Sequence, residues 1–175
     1  MAKLKGLKKL NKAITAEVAT FGIKKAVCET EFAYYFSDNH IGYKAVVDIS
    51  DEIFDAFVEE RFEYHVEQDF PISLLHEIGH RETGDDIDGG LYEWCLAEKE
   101  RINKRIAEAE DEETLKHFYF QYFNLPDEIM ATQWAVDFAK RHPKKIKKMW
   151  KNIEKAFHAF YNANNLEAEE IADVI

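Results

Sequence analysis

The sequence predicts a helix-rich α+β fold in one domain, and three observations lead to this prediction. The chain has 175 residues, of which 46% are hydrophobic and 33% charged, as is typical of a single globular domain. It contains only 7 Gly and 3 Pro, too few for the many turns of an all-β sandwich. Strand-like patterning is confined to residues 26–47, whereas apolar residues elsewhere recur at helical spacing.

The N-terminal segment is predicted to form a basic helix followed by a β-hairpin. Apolar residues recur at helical spacing over 3–20, and Gly22 suits the end of that helix. The recurring residues are Leu4, Leu7, Leu10, Ile14, Val18 and Phe21. From Ala26 to Val47, two segments rich in aromatic and β-branched residues flank the turn-forming sequence SDNHIG, a pattern typical of a hairpin.

The next segment is predicted to contain two helices that lead into an acidic loop. Ser50 can cap a helix that continues to about Gln68. The apolar stripe of this helix is formed by Ile53, Phe54, Phe57, Val58, Phe62 and Val66. Pro71 suits the start of the second helix, over about 70–83, and Gly84 suits its end. The acidic loop GDDIDGG follows directly.

The C-terminal half is predicted to be mainly helical. Helical spacing covers residues 91–109, the segment 111–114 breaks it, and the aromatic segment 118–123 fits either a helix or a buried strand. Pro126 then starts a helix that continues to Lys140.

The predicted domain spans residues 1–175, with its core over 26–142. The basic N-terminal helix, 3–20, precedes this core, and a C-terminal helix, 143–162, follows it. The acidic tail, 165–175, is expected to fray.

Charge is distributed unevenly along the chain, whose formal net charge is −11. Residues 1–27 and 140–155 are rich in lysine, whereas 51–70 and 81–113 are acidic. Solvated helix faces of opposite sign are the simplest interpretation. The alternative is that the two basic segments meet and form a patch for an acidic partner or nucleic acid, although a nucleic-acid binder usually presents one continuous basic face.

The apolar runs and the cysteines of the sequence indicate a cellular location. The sequence has no run of 18 apolar residues and no visible secretory signal, so we expect no membrane association. Cys28 and Cys95 form neither a CxxC pair nor a disulfide framework, and reduced thiols are expected. A cytoplasmic protein is therefore predicted.

The segment LLHEIGH, residues 74–80, matches the pattern of a zinc-binding helix. On a helix, His76 and His80 project from the same face one turn apart, so both imidazoles can reach one zinc ion. Glu77 can take a proton from water that zinc activates, instead of binding the metal. A chance match to this pattern is expected about 0.03 times in a chain of this composition. Gly79 costs a helix about 1 kcal/mol, which indicates that a neighbouring backbone approaches closely there.

The motif alone does not fix the third protein ligand that a catalytic zinc requires. Asp86, six residues after His80, is one candidate. Glu128 is the stronger candidate because it begins a helix face that is otherwise small. The small residues on that face are Ala131, Thr132 and Ala135. Two helices can approach closely along such a face and leave Glu128 as the long side chain directed at the metal.

HEIGH, followed by a helix with the pattern E-x-x-A-x-x-x-A from Glu128, resembles the ImmA/IrrE family of gluzincin-like zinc metallopeptidases. The resemblance implies a minimal zincin-like fold. It also implies that His76, His80 and Glu128 are zinc ligands and that Glu77 is the general base. The chain departs from the family at Thr132, where Asn is frequent, and in the long segment between the two motifs.

The resemblance implies hydrolysis of a protein or peptide substrate, often a transcriptional regulator, by a protease of phage or mobile-element type. A second electrophile should stabilise the oxyanion. The candidates are His117, Tyr119, Tyr122 and His142. The edge of the predicted hairpin can hold a substrate segment as an added strand.

A non-catalytic binding module on a zincin scaffold is the alternative function. The segment 81–127 and the two lysine-rich helices could then contact a protein or nucleic-acid partner. The presence of Glu77 argues against this alternative, because a non-catalytic scaffold gains nothing from an acid beside an open metal position. A third possibility is a helical protein in which HEIGH is accidental and binds no zinc.

Overall fold

The computed structural model describes residues 5–29, 35–36, 39–44, 49–67 and 69–164. In these ranges there are seven helices: α1 Leu7–Val18, α2 Ile49–Phe62, α3 Asp69–Thr83, α4 Gly89–Ala107, α5 Glu112–Phe123, α6 Pro126–Arg141 and α7 Pro143–Asn164. The strands are β1 Lys25–Glu29, β2 Tyr35–Phe36 and β3 His40–Lys44. The predicted helix-rich fold with a small sheet is confirmed. The predicted tail, 165–175, and the start of the predicted first helix lie outside the described residues.

The chain divides into two compact units. One comprises residues 1–48 and 139–175, and the other comprises residues 49–138. The first unit therefore holds the sheet with α1 and α7, and the second holds α2 to α5 with most of α6. The histidine motif and Glu128 both belong to the second unit.

The sheet of the first unit has the order β1-β3-β2, which differs in part from the predicted hairpin. Antiparallel pairing joins β2 to β3, with Tyr35 opposite Ile41. Strand β1 pairs in parallel with β3 instead, with Lys25 opposite His40. An alternating sequence pattern identifies strand residues but not the direction in which two strands pair, and a parallel pair requires a connection longer than a tight turn.

Helices α1 and α7 pack against each other in an antiparallel arrangement. Asn164, near the end of α7, donates a hydrogen bond from Nδ2 to the Lys5 carbonyl oxygen at 2.9 Å, and Asn152 donates one to Glu17 at 2.7 Å. The buried residues of the two helices include Leu10, Ile14 and Val18 of α1 and Ile146, Met149, Ile153, Phe157 and Phe160 of α7. The lysine side chains of both helices are exposed. The two basic segments therefore meet in this unit.

Helix α2 ends at Phe62, six residues before the predicted end. The predicted stripe is buried at Ile53, Phe54, Phe57 and Val58. Glu63 has a φ of 49°, and this left-handed backbone conformation stops the helix. Val66 is nevertheless buried and Phe62 is half-buried, so most of the predicted apolar stripe belongs to the core although it continues beyond the helix itself.

The aromatic segment 118–123, left open between helix and strand, belongs to α5. Asp111 caps this helix, accepting a hydrogen bond from the Thr114 backbone nitrogen at 2.8 Å. The ring of Phe123 lies 5.1 Å from that of Phe54 and 5.5 Å from that of Phe57, measured between centroids. These contacts pack α5 against α2.

The first two turns of α4 expose large apolar side chains. Between 39% and 49% of each residue is exposed for Leu91, Tyr92, Trp94 and Leu96. On the same helix, only Cys95 and Ile102 are buried. None of the helices among the described residues combines the length and the apolar character that crossing a bilayer requires.

Candidate metal centre

Helix α3 presents the two motif histidines on one side. Their ring centroids are 4.7 Å apart, and the ring planes are inclined by 81°. The Phe54 ring contacts His76 edge-on, with centroids 5.1 Å apart. Other positions of the helix are buried in the core, at Ile72, Leu74, Leu75 and Ile78. The helix is thus anchored by its apolar residues, and its histidines face α6.

Helix α6 approaches α3 closely at Gly79, as the sequence predicts. A Cβ atom at this position would lie 2.4 Å from the Ala131 carbonyl oxygen and 2.9 Å from the Ala131 Cα. Ala131 and Ala135 are fully buried. The two backbones can come this near only because neither helix carries a larger side chain at the contact. The approach brings Glu128, in the first turn of α6, to the histidines.

His76, His80 and Glu128 form a group that could hold a metal ion. One nitrogen of each ring and a carboxylate oxygen all lie within 4.8 Å of one another. The His76 Nε2 is 3.0 Å from Glu128 Oε2, and the His80 Nε2 is 3.4 Å from Glu128 Oε1. Ligand atoms around a tetrahedral metal with bonds of about 2.0–2.2 Å are separated by about 3.4 Å, so the group is close to the required dimensions.

Thr132 fixes the orientation of the His76 ring. The Thr132 hydroxyl donates to the Glu128 carbonyl oxygen at 2.8 Å, so its oxygen accepts from His76 Nδ1 at 2.9 Å. In the neutral ring this leaves Nε2 with a lone pair directed at the Glu128 carboxylate. Two acceptors face each other favourably only across a cation or a proton, which is the arrangement expected of a metal ligand pair.

Lys99 of α4 also reaches this group. Its Nζ forms ion pairs with Asp127 Oδ2 and Glu128 Oε1, and only 16% of its side chain is exposed. Asp127 Oδ1 is buried and has no hydrogen-bond partner among the described residues. The Lys99 Nζ lies 5.5 Å from the centroid of the Tyr122 ring. A buried ammonium therefore sits between two adjacent carboxylates.

The pKa values in the group favour positive charge around an ionised Glu128. Burial raises the pKa of Glu128, but the charge of His80 and the hydrogen bond from His76 outweigh it, so the pKa lies well below its ordinary value. Burial lowers the pKa of His80 and of Lys99, whereas the Glu128 carboxylate raises both, and the net shift of each is upward. Glu128 is thus held in its ionised form by the neighbouring positive charges.

Glu77 is partly exposed beside the same group. Burial of its carboxyl raises the pKa of Glu77, and the charges of His76 and His80 offset this only in part. A carboxylate that is more basic than usual can accept a proton more readily. Glu77 follows the first histidine of the group directly in sequence and is not itself a member of it.

The other residues that the sequence suggested as a metal ligand or as oxyanion donors do not belong to the three-residue group. Asp86 is exposed in a short 3₁₀ turn, Gly84–Asp86, and is not a member of the three-residue group. His117 and His142 are exposed, and the Tyr119 ring stacks on Phe123. Of the four oxyanion candidates, Tyr122 lies beside Lys99, and burial followed by the charge of Glu128 raises its pKa.

Three features of the centre were not predicted from the sequence: Lys99, Asp127 and the role of Thr132. For Thr132 a signal was present, because it follows Glu128 by one helical turn and can bond back to its carbonyl. For Lys99 there was none, because it lies among other charged residues of α4, 28 positions before its partner Asp127.

Replacing Gly79 with Ala is expected to destabilise the protein and to distort the centre. The added methyl would overlap the Ala131 backbone, which should destabilise the fold by about 1–3 kcal/mol. The higher helix propensity of Ala stabilises it by only about 1 kcal/mol. Denaturant unfolding would measure the loss. The matched control is Gly84→Ala, where a Cβ atom meets nothing within 4 Å. Equal stability of both variants would contradict the close approach.

Comparison of the chain with protein-family models, with curated proteins and with solved structures gives no significant match. The resemblance to the ImmA/IrrE family therefore remains a prediction from the two sequence motifs.

Proposed function

We propose that the chain is a zinc-dependent peptidase with a minimal zincin-like fold, similar to the ImmA/IrrE family, that hydrolyses a protein or peptide substrate. The main support for this proposal is that the ligand atoms of His76, His80 and Glu128 lie within 4.8 Å of one another. Glu77, which follows His76 in the chain, has a raised pKa. Two imidazoles and one carboxylate are the protein ligands of many catalytic zinc sites, which keep a further position open. A transcriptional regulator as the substrate and a cytoplasmic location belong to the same proposal.

The donor set favours zinc over the hard cations. Imidazole nitrogen is a good ligand for zinc, whereas Mg²⁺ and Ca²⁺ prefer oxygen ligands only. The His80 side chain is 23% exposed, while those of His76 and Glu128 are almost completely buried. A substrate would therefore reach the centre from the side of His80 and Glu77.

Each residue has a distinct role in the proposed reaction. Zinc, when bound, supplies Lewis acidity to the scissile carbonyl and to the attacking water. Glu77 accepts the proton of that water and delivers it to the leaving amine. Thr132 keeps His76 in the tautomer that presents Nε2 to the metal. Tyr122 is the candidate donor to the oxyanion.

Zinc dependence of peptide cleavage tests this function. The purified protein, incubated with unfolded casein, should cleave it, lose this activity after treatment with a chelator, and regain it when zinc is added. The variant His80→Ala should remain inactive at every zinc concentration, because one ligand is missing. Cleavage that persists in the chelator, or that His80→Ala retains, would contradict the proposal.

A second candidate function is a binding module without catalysis. The large apolar side chains exposed on the first two turns of α4 favour it, because exposed apolar surface often marks an interaction site. The exposed lysines of α1 and α7 offer a basic surface for an acidic partner. Binding of DNA that weakens steeply with salt, together with no cleavage of casein, would favour this candidate over the peptidase.

A further inference from the structure

Lys99 and His80 approach the same carboxylate oxygen of Glu128. The Glu128 Oε1 that lies 3.4 Å from the His80 Nε2 is also the ion-pair partner of the Lys99 ammonium. A dication bound by the two histidines and Glu128 would meet this buried ammonium at close range. Like charges repel strongly where little water screens them. A metal bound through that oxygen is therefore favoured when the ammonium moves away from it.

Asp127 provides another place for the displaced ammonium. Its Oδ2 already pairs with Lys99, and its buried Oδ1 has no hydrogen-bond partner among the described residues. A carboxylate accepts hydrogen bonds through both oxygens, and the lysine side chain is flexible enough to move between neighbouring acceptors. The Tyr122 ring, whose centroid is 5.5 Å from Nζ, adds a favourable surface for the cation.

We infer that Lys99 is an exchangeable internal cation of this centre, and the inference rests on the proposed metal site. Without metal, its ammonium neutralises Glu128 together with Asp127 and keeps the buried carboxylates stable. When a dication binds, the ammonium moves entirely to Asp127 and releases Glu128 to the metal. Lys99 is thus a positioning residue, because it acts on the metal through Glu128.

This exchange gives the removal of Lys99 two effects of opposite sign. The metal-free protein loses the counter-ion of two buried carboxylates and becomes less stable. The metal-binding form loses a competitor and a repulsive charge, and therefore binds zinc more tightly. A lysine that merely supported the fold or oriented Glu128 would weaken both stability and zinc binding when removed.

The variant Lys99→Met separates these alternatives, because methionine retains apolar length without the charge. We expect a lower denaturation midpoint in the presence of chelator and a zinc affinity raised by about tenfold or more, measured by competition with a chromophoric chelator. The control is Lys104→Met on the same helix. Lys104 is exposed and pairs with Glu100, so both properties should match the wild type.

Asp127→Asn tests the other half of the exchange. It leaves Lys99 without its second acceptor, so zinc affinity should fall by about tenfold although Asp127 is not a ligand. Most of this loss should disappear when Lys99→Met is also present, because no ammonium then needs a place. If Lys99→Met does not fold, Asp127→Asn alone decides, and unchanged zinc affinity in that variant would overturn the inference.

The outcomes distinguish the inference from the function on which it rests. Wild-type protein that binds zinc, with Lys99→Met binding more tightly, supports both. Wild-type protein that binds zinc, with Lys99→Met binding equally or more weakly, overturns the exchange and leaves the metal centre intact. Wild-type protein that binds no zinc overturns the metal centre and the exchange together.

Discussion

Replacing Glu77 with Gln is expected to lower the rate of peptide cleavage by roughly 10²- to 10⁴-fold, the usual contribution of a general base. Glutamine has nearly the same shape but cannot accept the proton. The zinc content should not change, because Glu77 lies beside the group His76, His80 and Glu128 without belonging to it. Casein cleavage at saturating zinc, with metal analysis of the same sample, measures both quantities.

The matched control for this variant is Glu82→Gln. Glu82 is an exposed acid on the same helix, where it pairs with Arg81. Its substitution removes one negative charge from α3 without touching the centre, so activity should stay close to that of the wild type. Full activity in Glu77→Gln, or equal losses in the two variants, would show that Glu77 is not the base.

Replacing Glu128 with Gln should reduce zinc affinity more than any other single change on α6. The substitution removes the anionic ligand and leaves the buried Lys99 ammonium with Asp127 as its remaining carboxylate partner. Thr132→Val, which removes the hydrogen bond to His76 Nδ1, should cost about 10- to 100-fold, as is typical for outer partners of metal ligands. The loss of zinc affinity in Glu128→Gln should be larger than this.

Zinc competition titrations of the two variants give this ranking directly. Gln133→Ala, at an exposed position of the same helix, is the control and should leave zinc affinity unchanged. A Glu128→Gln protein that binds zinc as well as Thr132→Val does would remove Glu128 from the ligand set.

Much of the helical fold follows from local sequence signals. The apolar spacing and the prolines placed α3, α6 and α7 within one or two residues of their observed bounds, because each helix has one buried face. The predicted end of α2 was wrong because Glu63 adopts a left-handed conformation that ends the helix six residues earlier, and nothing in the apolar pattern indicates this conformation. The parallel pairing of β1 with β3 was also missed, because pairing direction depends on contacts distant in sequence.

Some residues of the candidate site could be predicted from the sequence, and others could not. The relation of His76, Glu77 and His80 is fixed by one turn of helix and could be predicted from spacing alone. Glu128 could be predicted because Gly79 and the small residues of α6 indicate a close approach of two helices. The Lys99 contact comes from a third helix, and no periodic pattern reports which charged residue of a solvated helix turns inward.

A zinc titration of the metal-free wild-type protein beside His76→Ala tests the proposed metal centre. We expect a saturable site with one zinc per chain in the wild type, and its loss in the variant, because the ring held by Thr132 is one of the three proposed ligands. Absence of saturable binding in the wild type, or the same binding in His76→Ala, would contradict it.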